Sequence, residues 1–144
     1  MSVGVCFRRE NKSWEQDQWS FVFSNFGITN IWERGVDDNR DYNIYQKPVP
    51  VRTAAQLPQR PIVVLAPEDG NHIKGTVSLT DYVHPEDAIY LFGSSNAALS
   101  DEEDLGGVIP EACVYIPTVK HEMYAHAAGY ITLYDRMVKR GSHG

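Results

Sequence analysis

The stretch "IVVLAP" (Ile62–Pro67) constrains the fold of this chain more than any other segment. Its first four residues are all apolar, and three of them are β-branched. A strand with one face in water alternates apolar and polar residues, whereas a strand covered on both faces is apolar at every position. The stretch therefore predicts an interior strand of a parallel sheet with packed layers on both sides.

Strand and helix patterns alternate around this stretch. "SVGVCF" predicts a first strand, residues from about Trp14 to Phe26 predict a helix that stops at Gly27, and "ITNIWERG" predicts a second strand. Two later apolar runs, "AIYLFGSS" and "ACVYIP", predict further strands. The proline-rich region from Gly35 to Pro61 predicts an extended piece and one short helix, and "SLTDYV" predicts a short helix at most.

A final helix is predicted from Glu122 to about Arg140. Its apolar residues recur at helical spacing and form one stripe along the helix. The stripe consists of Met123, Ala127, Tyr130, Ile131, Tyr134 and Val138.

The alternation predicts an α/β fold in which a mostly parallel sheet carries helices on both faces, as one domain spanning residues 1–144. Ligands of such sheets bind at the carboxyl ends of the strands. The segments predicted at that edge are Arg8 with Arg9, Pro67–Asn71, Gly93–Ser100 and Pro117–Glu122.

Composition and charge narrow the class of protein. Hydrophobic residues make up 42% and charged residues 22% of the chain, as in ordinary globular domains. We expect a cytoplasmic protein without membrane association, because no apolar run is long enough to span a bilayer and "MSVGVCFRRENK" does not resemble a signal peptide. Cys6 and Cys113 lie in strand-like runs and are expected to be buried thiols. The net charge of −6 argues against broad, nonspecific binding of nucleic acid, although "CFRRENK" and "RMVKRGSHG" are locally basic.

Common catalytic motifs are absent from the sequence. "HEMYAH" spaces its histidines at i and i+5, whereas a helical zinc site of the HExxH type needs i and i+4, so we expect no metal. The chain has no Walker-type phosphate loop, no G-x-G-x-x-G and no G-x-S-x-G. The acidic run "SDEED" is consecutive and fits a solvated loop better than a catalytic carboxylate pair.

Two strand ends are more informative when they are taken together. "LFGSS" ends a strand in small residues, where backbone groups can approach a ligand closely, and "YIPT" ends a strand at a proline. Either one alone is typical of a simple turn.

Read in order, "LFGSS", "ALS" (Ala98–Ser100), "YIPT" and "EMYAHAAGYITLYD" resemble the C-terminal elements of SpoU/TrmH-type methyltransferases of the SPOUT superfamily. In that family these elements are Leu-Gly-Ser-Glu, Gly-Leu-Ser, Ile-Pro-Met, and a helix from Ser-Leu-Asn-Val-Ser to Leu-Tyr-Glu. The first β-α-β with "NFGITN" is similar more loosely.

The resemblance implies a C-terminal deep trefoil knot, a homodimer with the last helix at or beside its interface, and S-adenosylmethionine (AdoMet) as cofactor. It implies an RNA substrate, with tRNA and the ribose 2′-hydroxyl as one case. The cofactor-binding residues predicted on this basis are Leu91, Phe92, Gly93, Ser94, Ile116, Pro117, Thr118, Glu122 and Met123.

The chain departs from the family where catalysis would occur. The family's catalytic arginine falls on Phe21, its first asparagine on Glu15, and the asparagine of Ser-Leu-Asn on Tyr124. As substitutes we predict that Tyr124 orients a substrate hydroxyl and that Arg8, or alternatively Arg9, supplies the cation. The serine that opens Ser-Leu-Asn falls on Glu122, and the glutamate that ends Leu-Gly-Ser-Glu falls on Ser95.

Two hypotheses therefore stay open from the sequence. The first is an AdoMet-dependent RNA methyltransferase. The second is a catalytically silent or repurposed SPOUT domain that binds AdoMet, a related metabolite or a protein partner, because fold alone does not fix function.

Overall fold

A single sheet organises the chain. The computed structural model describes residues 3–9, 13–35, 48–65, 76–93, 105–118 and 123–141. Its strands are β1 (Gly4–Arg8), β2 (Asn30–Arg34), β3 (Val49–Pro50), β4 (Ile62–Leu65), β5 (Thr76–Ser78), β6 (Ile89–Leu91) and β7 (Ala112–Tyr115). Within the described ranges these seven strands lie in the order β3-β2-β1-β6-β4-β7-β5, and every neighbouring pair is parallel. The predicted parallel α/β sheet is thus confirmed.

Strand β4 is buried along its whole length, as the opening apolar stretch predicts. Val63 and Leu65 contribute to one hydrophobic cluster, whereas Ile62 and Val64 contribute to a second cluster on the opposite face. The same alternation holds in β1, where Val5 belongs to the first cluster. Both faces of the sheet are therefore covered by packed side chains.

The two faces are covered by different structures. Helices α1 (Ser13–Phe26) and α2 (Ala125–Arg140) pack against each other and supply residues to the first cluster. Among the described residues, the second cluster is covered by the 3₁₀ turn Ala54–Gln56, with Leu57 and Leu105 beside it. Helices on both faces were predicted, and on the second face the described covering is this short turn. Neither α-helix is long and apolar enough to cross a membrane.

Close contact between the helices depends on Gly129. A Cβ atom at this position would lie 2.8 Å from Cζ3 of Trp19, which is fully buried. The face of α2 that packs on the core therefore combines small, polar and apolar residues, namely Ala125, His126, Gly129, Thr132 and Leu133. The predicted apolar stripe lies elsewhere, because its residues Ile131, Tyr134 and Val138 are exposed.

Several boundaries differ from the prediction. Helix α2 begins at Ala125 and not at Glu122, and Tyr124 is its extended N-cap residue. Strand β5 was not predicted, since its three residues are too few for a recognisable pattern. "SLTDYV" does contain a single 3₁₀ turn, Leu79–Asp81, which matches the short helix expected there.

The last turns of α2 are fixed to the sheet by a buried histidine. His84 lies in the segment before β6, with its Nε2 atom 2.7 Å from Oδ2 of Asp135 and its Nδ1 atom 2.6 Å from the hydroxyl of Tyr90. Because the carboxylate can only accept, Nε2 carries the proton, and Nδ1 accepts a hydrogen bond from Tyr90. Burial raises the pKa of Tyr90 to about 12, so its hydroxyl stays protonated as a donor.

This network predicts a pH dependence of stability. Burial lowers the pKa of His84 below its ordinary 6.5, while the hydrogen bond and charge of Asp135 act in the opposite direction. The unfolded chain therefore binds a proton more readily than the folded chain, and the free energy of unfolding should decrease as pH falls through and below 6.5. Urea unfolding between neutral and mildly acid pH measures the slope.

His84→Asn is the informative variant, because it removes the titrating group and should flatten this part of the profile. His126→Asn gives a second measurement of the same kind: burial also lowers the pKa of His126, so this variant should remove a separate part of the slope. A His84→Asn profile parallel to that of the unmodified protein would contradict the prediction.

Candidate functional site

Two strands end on either side of β4 at the carboxyl edge of the sheet. Strands β6 and β7 both pair with β4, so the segments that follow them leave the sheet about 10 Å apart, twice the spacing between neighbouring strands. These are the two segments that the sequence singled out, "LFGSS" and "YIPT". The gap between them lies at the carboxyl edge, which is where ligands of α/β sheets bind.

A buried arginine fixes one side of this gap. Arg34 ends β2, is 1% exposed, and its guanidinium reaches across the end of β1. Its Nη2 atom donates to the carbonyl of Phe92 at 2.7 Å, and its Nη1 atom donates to the carbonyl of Cys6 at 3.3 Å. Sequence reasoning missed Arg34, whose only signal was a charged residue at the end of an apolar strand. It joins the end of β2 to β1 and to the segment after β6, and so holds the segment that leads into Gly93.

The structure shows how the first predicted cofactor-binding residues are placed. Leu91 and Phe92 are buried, and the ring of Phe92 lies 5.3 Å from that of Trp19. The backbone N–H of Phe92 donates to Cys6. Phe92 is thus enclosed in the core, and accessibility begins at Gly93, which is partly exposed.

The opposite side of the gap consists of Ile116, Pro117 and Thr118, which follow β7 and are at least partly accessible. Met123, just before α2, is also partly accessible. Ser94 and Glu122 lie outside the described residues, as do Pro67–Asn71, Ser95–Ser100 and the acidic run.

The two predicted cation sources differ in their position. Arg8 pairs in register with Arg34 and shares its side of the sheet with Cys6, which belongs to the cluster opposite the helices. Tyr124 lies at the start of α2, on the helix side. The sheet therefore separates Arg8 from Tyr124, whereas alternation places Arg9 on the helix side, where its backbone N–H donates to Arg34.

The beginnings of the two helices meet in an aromatic cluster that the sequence did not predict. The rings of Trp14 and Tyr124 lie 5.3 Å apart at 87°, and Tyr124 stacks on His126 at 5.3 Å and 11°. Both helices follow strands that end at the carboxyl edge, so this cluster lies on the same edge as the gap. The sequence gives no sign of this cluster, because Trp14 and Tyr124 are far apart along the chain.

Buried polar groups lie beside this cluster. Glu15 is 2% exposed, and among the described residues neither its buried Oε2 atom nor the buried Nδ1 atom of His126 has a hydrogen-bond partner. Burial lowers the pKa of His126, while the charge of Glu15 acts in the opposite direction. His126 is therefore a neutral imidazole at neutral pH, with an adjacent carboxylate that would stabilise its protonated form.

The residues that replace the expected catalytic constellation have separate environments. Phe21, at the position of the arginine, is 56% exposed on the outer surface of α1. Glu15, at the position of the first asparagine, is buried under the aromatic cluster. Among the described residues, no group of three or more histidine, cysteine, aspartate or glutamate side chains could hold a metal ion.

Comparison with known proteins identifies the fold. No family model and no curated protein sequence matches the chain. Its structure is similar to TrmJ from Z. mobilis ZM4, with a TM-score of 0.77 and 12% identity over 100% of this chain and 71% of that one. It is also similar to the TrmH/SpoU tRNA modifying enzyme of A. aeolicus, with a TM-score of 0.75 and 13% identity over 96% of this chain and 75% of that one.

A third similar structure is the AdoMet-bound rRNA methyltransferase from Sinorhizobium meliloti, with a TM-score of 0.67 and 14% identity. That match covers 99% of this chain and 57% of the other, so this chain spans little more than half of its length. The fold is the one shared by TrmH/SpoU-type RNA methyltransferases, as the resemblance in the sequence predicted. Identities this low show the fold and leave the activity to be argued from the site.

Arg34 yields a test of how the edge is held together. Arg34→Lys keeps the charge but cannot reach both carbonyls with a planar fork, so it should lower the free energy of unfolding by about 1–3 kcal/mol. It should also speed hydrogen exchange at the Phe92 amide, which native-state exchange followed by NMR measures.

Arg60→Lys is the matched control, because Arg60 also donates to a backbone carbonyl, that of Asp87, at the amino edge of the sheet. Unchanged exchange at Phe92 in the Arg34 variant, or equal acceleration in both variants, would show that Arg34 does not hold this segment.

Proposed function

We propose that this protein is an AdoMet-dependent RNA methyltransferase, with the ribose 2′-hydroxyl of a tRNA as its acceptor. One observation carries the proposal. The two segments that leave β6 and β7 flank β4 at the carboxyl edge, in a fold shared with RNA methyltransferases of which one is described with AdoMet bound.

The described residues fit such a cofactor. AdoMet has an apolar thioether chain, a flat adenine and polar groups that backbone amides and carbonyls can bind. Gly93 would supply backbone, Ile116 and Pro117 an apolar wall, and Thr118 and Met123 the remaining contacts, with Leu91 and Phe92 as the buried support behind them. Ser94 and Glu122 complete the proposed set. When bound, AdoMet would supply an electrophilic methyl group that is already activated by the sulfonium charge.

The residues of the chain would then position the acceptor. The proposed catalytic pair was Arg8 and Tyr124, and the placement of Arg8 on the far side of the sheet favours Arg9 as the cation instead. Tyr124 is exposed, and its hydroxyl is proposed to orient the acceptor oxygen. Neutral His126, beside Glu15, is a base that could take up the proton as the oxygen is methylated. Alignment of the acceptor would contribute most of the rate enhancement.

The proposed architecture includes the trefoil knot and a homodimer. Ile131, Tyr134 and Val138 are exposed at i, i+3 and i+7, so they form one apolar stripe on α2. Phe21 adds an exposed ring on α1. An exposed apolar stripe of this kind supports an interface with a second copy.

The dimer proposal predicts that Ile131→Lys will shift the protein to the monomer, because a lysine in an apolar interface would lose hydration without a partner. Sedimentation velocity at several protein concentrations measures the change. Ile109→Lys is the control, since Ile109 is exposed in the segment before β7, next to Val108 of the cluster on the opposite face of the sheet. A monomeric unmodified protein would refute the dimer.

A second candidate function is favoured by the substitutions themselves. An exposed phenylalanine replaces the arginine, and a buried carboxylate replaces the asparagine. A domain that binds AdoMet, a related metabolite or a protein partner without transferring a methyl group would tolerate both changes.

Calorimetric titration with AdoMet and with S-adenosylhomocysteine tests the cofactor. We expect both to bind. We expect Gly93→Leu to abolish binding, because the leucine side chain would occupy the space in which the ligand contacts the backbone of residue 93. Val83→Leu is the control and should bind as the unmodified protein does.

Transfer of a labelled methyl group to unmodified tRNA then separates the two functions. Binding with transfer supports the enzyme, and binding without transfer to any RNA supports the silent domain. Binding of neither ligand would refute the cofactor site.

A further inference from the structure

The aromatic cluster at the beginnings of α1 and α2 has the form of a corner. Trp14 is 44% exposed and Tyr124 is 51% exposed, and their rings are nearly perpendicular. A flat ring that stacks on one of them would meet the other with its edge, and stacked and edge-to-face contacts are the two arrangements that aromatic rings prefer. The corner therefore has the right geometry for one planar aromatic group.

The corner is rigid on its inner side. Tyr124 stacks on His126, and Trp14 lies 6.0 Å from the same imidazole at 81°. His126 is buried, so it holds both rings from behind and leaves their outer faces to solvent. Two large aromatic side chains kept in fixed mutual orientation at the surface lose little side-chain entropy when a ligand binds.

Buried polar atoms behind the rings provide a second, independent observation. Oε2 of Glu15 and Nδ1 of His126 are buried and have no hydrogen-bond partner in the part of the chain that the structure describes. A buried polar group without a partner costs free energy, and such groups need an explanation when they occur in a folded protein. One is an acceptor, and the other belongs to a ring that can donate or accept, so the inner side of the corner is polar.

Positive charge lies within reach of the corner. Ser13, the first residue of α1, is four positions after Arg9, so the chain places their Cα atoms at most about 14 Å apart. Arg9 lies on the helix side of β1, as does the corner. Aromatic rings that stack with bases, combined with nearby arginine, are the arrangement by which proteins bind single-stranded nucleic acid.

We propose that Trp14 and Tyr124 form a binding site for a single unpaired nucleobase of an RNA. This inference rests on the proposed function for its RNA substrate, and it names the part of the RNA that the protein holds. The base stacks on the exposed rings of the corner, over the polar inner side formed by Glu15 and His126, and its phosphates lie toward Arg9. The base is thereby held at the carboxyl edge, beside the proposed methyl donor.

Binding of short, labelled, single-stranded RNAs tests the proposal by fluorescence anisotropy. The probes are homopolymers of adenylate, cytidylate and uridylate, with a chain of the same length that has the ribose-phosphate backbone but no bases. We expect base-containing probes to bind more tightly than the abasic chain. Trp14→Ala and Tyr124→Ala should each weaken binding of base-containing probes about tenfold.

Tyr124→Phe separates the ring from the hydroxyl. It keeps the stacking surface and should bind RNA as the unmodified protein does, even if methyl transfer is lost. Val83→Ala is the control for removal of an exposed apolar side chain, and it should leave RNA affinity unchanged. Thermal unfolding of each variant checks that the fold is retained.

Four results would overturn the proposal: equal binding by the alanine variants, equal binding of the abasic chain, no binding of any probe by the unmodified protein, or a Trp14 emission that changes with protein concentration alone. The last would show that a second copy covers the ring. The AdoMet titration is independent of all four. Base-dependent RNA binding without AdoMet binding would refute the methyltransferase and retain the corner, and the converse result would refute the corner alone.

Discussion

The buried guanidinium of Arg34 is the contact on which the carboxyl edge of this protein depends. It is the terminal residue of β2, yet it donates to the carbonyl of Cys6, within β1, and to that of Phe92, just after β6. A parallel sheet leaves backbone groups at its strand ends without ladder partners, and a buried one of these must find a partner elsewhere. Arg34 supplies a donor to the Phe92 carbonyl and adds a second donor to the Cys6 carbonyl, which also accepts from the Phe92 N–H. The proposed cofactor-binding segment starts where β6 ends, so its position depends on the hydrogen bond from Arg34 to Phe92.

The packing of the helices sets the second constraint. Trp19 fills the space between α1 and the sheet, with Phe7 at 5.2 Å and Phe92 at 5.3 Å. So large a side chain between two helices requires a residue without a side chain opposite, which is Gly129. The core is thus continuous from α2 through Trp19 to the residue that Arg34 holds. The helices and the ligand edge are parts of one packed unit.

Much of this architecture was predictable because the signals were local. Continuous apolar runs such as Ile62–Leu65 predicted a buried parallel sheet, and the order of short motifs predicted the fold family. Burial along α2 was not predictable from apolar spacing, since the core-facing residues include Gly129 and Thr132 while Ile131 faces outward. Their burial depends on Trp19, which is more than a hundred residues earlier.

The site was predictable only in part, for the same reason. Strand ends could be located, but the register that sets Arg8 beside Arg34 and away from Tyr124 depends on pairing between distant segments. The contact of Trp14 with Tyr124 likewise joins residues from opposite ends of the chain.

Helix α2 is attached to the rest of the molecule very unequally along its length. Near its C-terminal end Asp135, Lys139 and Arg140 all bond to the segments that precede β6, with Arg140 Nη1 donating to the carbonyl of His84 at 3.0 Å. Its N-cap residue Tyr124 makes no capping hydrogen bond, so the first turns are held by packing, with Ala125 and His126 buried and Gly129 against Trp19. The helix is therefore attached by polar contacts at its C-terminal end and by side-chain packing at its N-terminal end. Loss of the polar contacts would act on the site only through the whole length of the helix, whereas loss of packing near Trp19 would change the positions of Tyr124 and His126 directly.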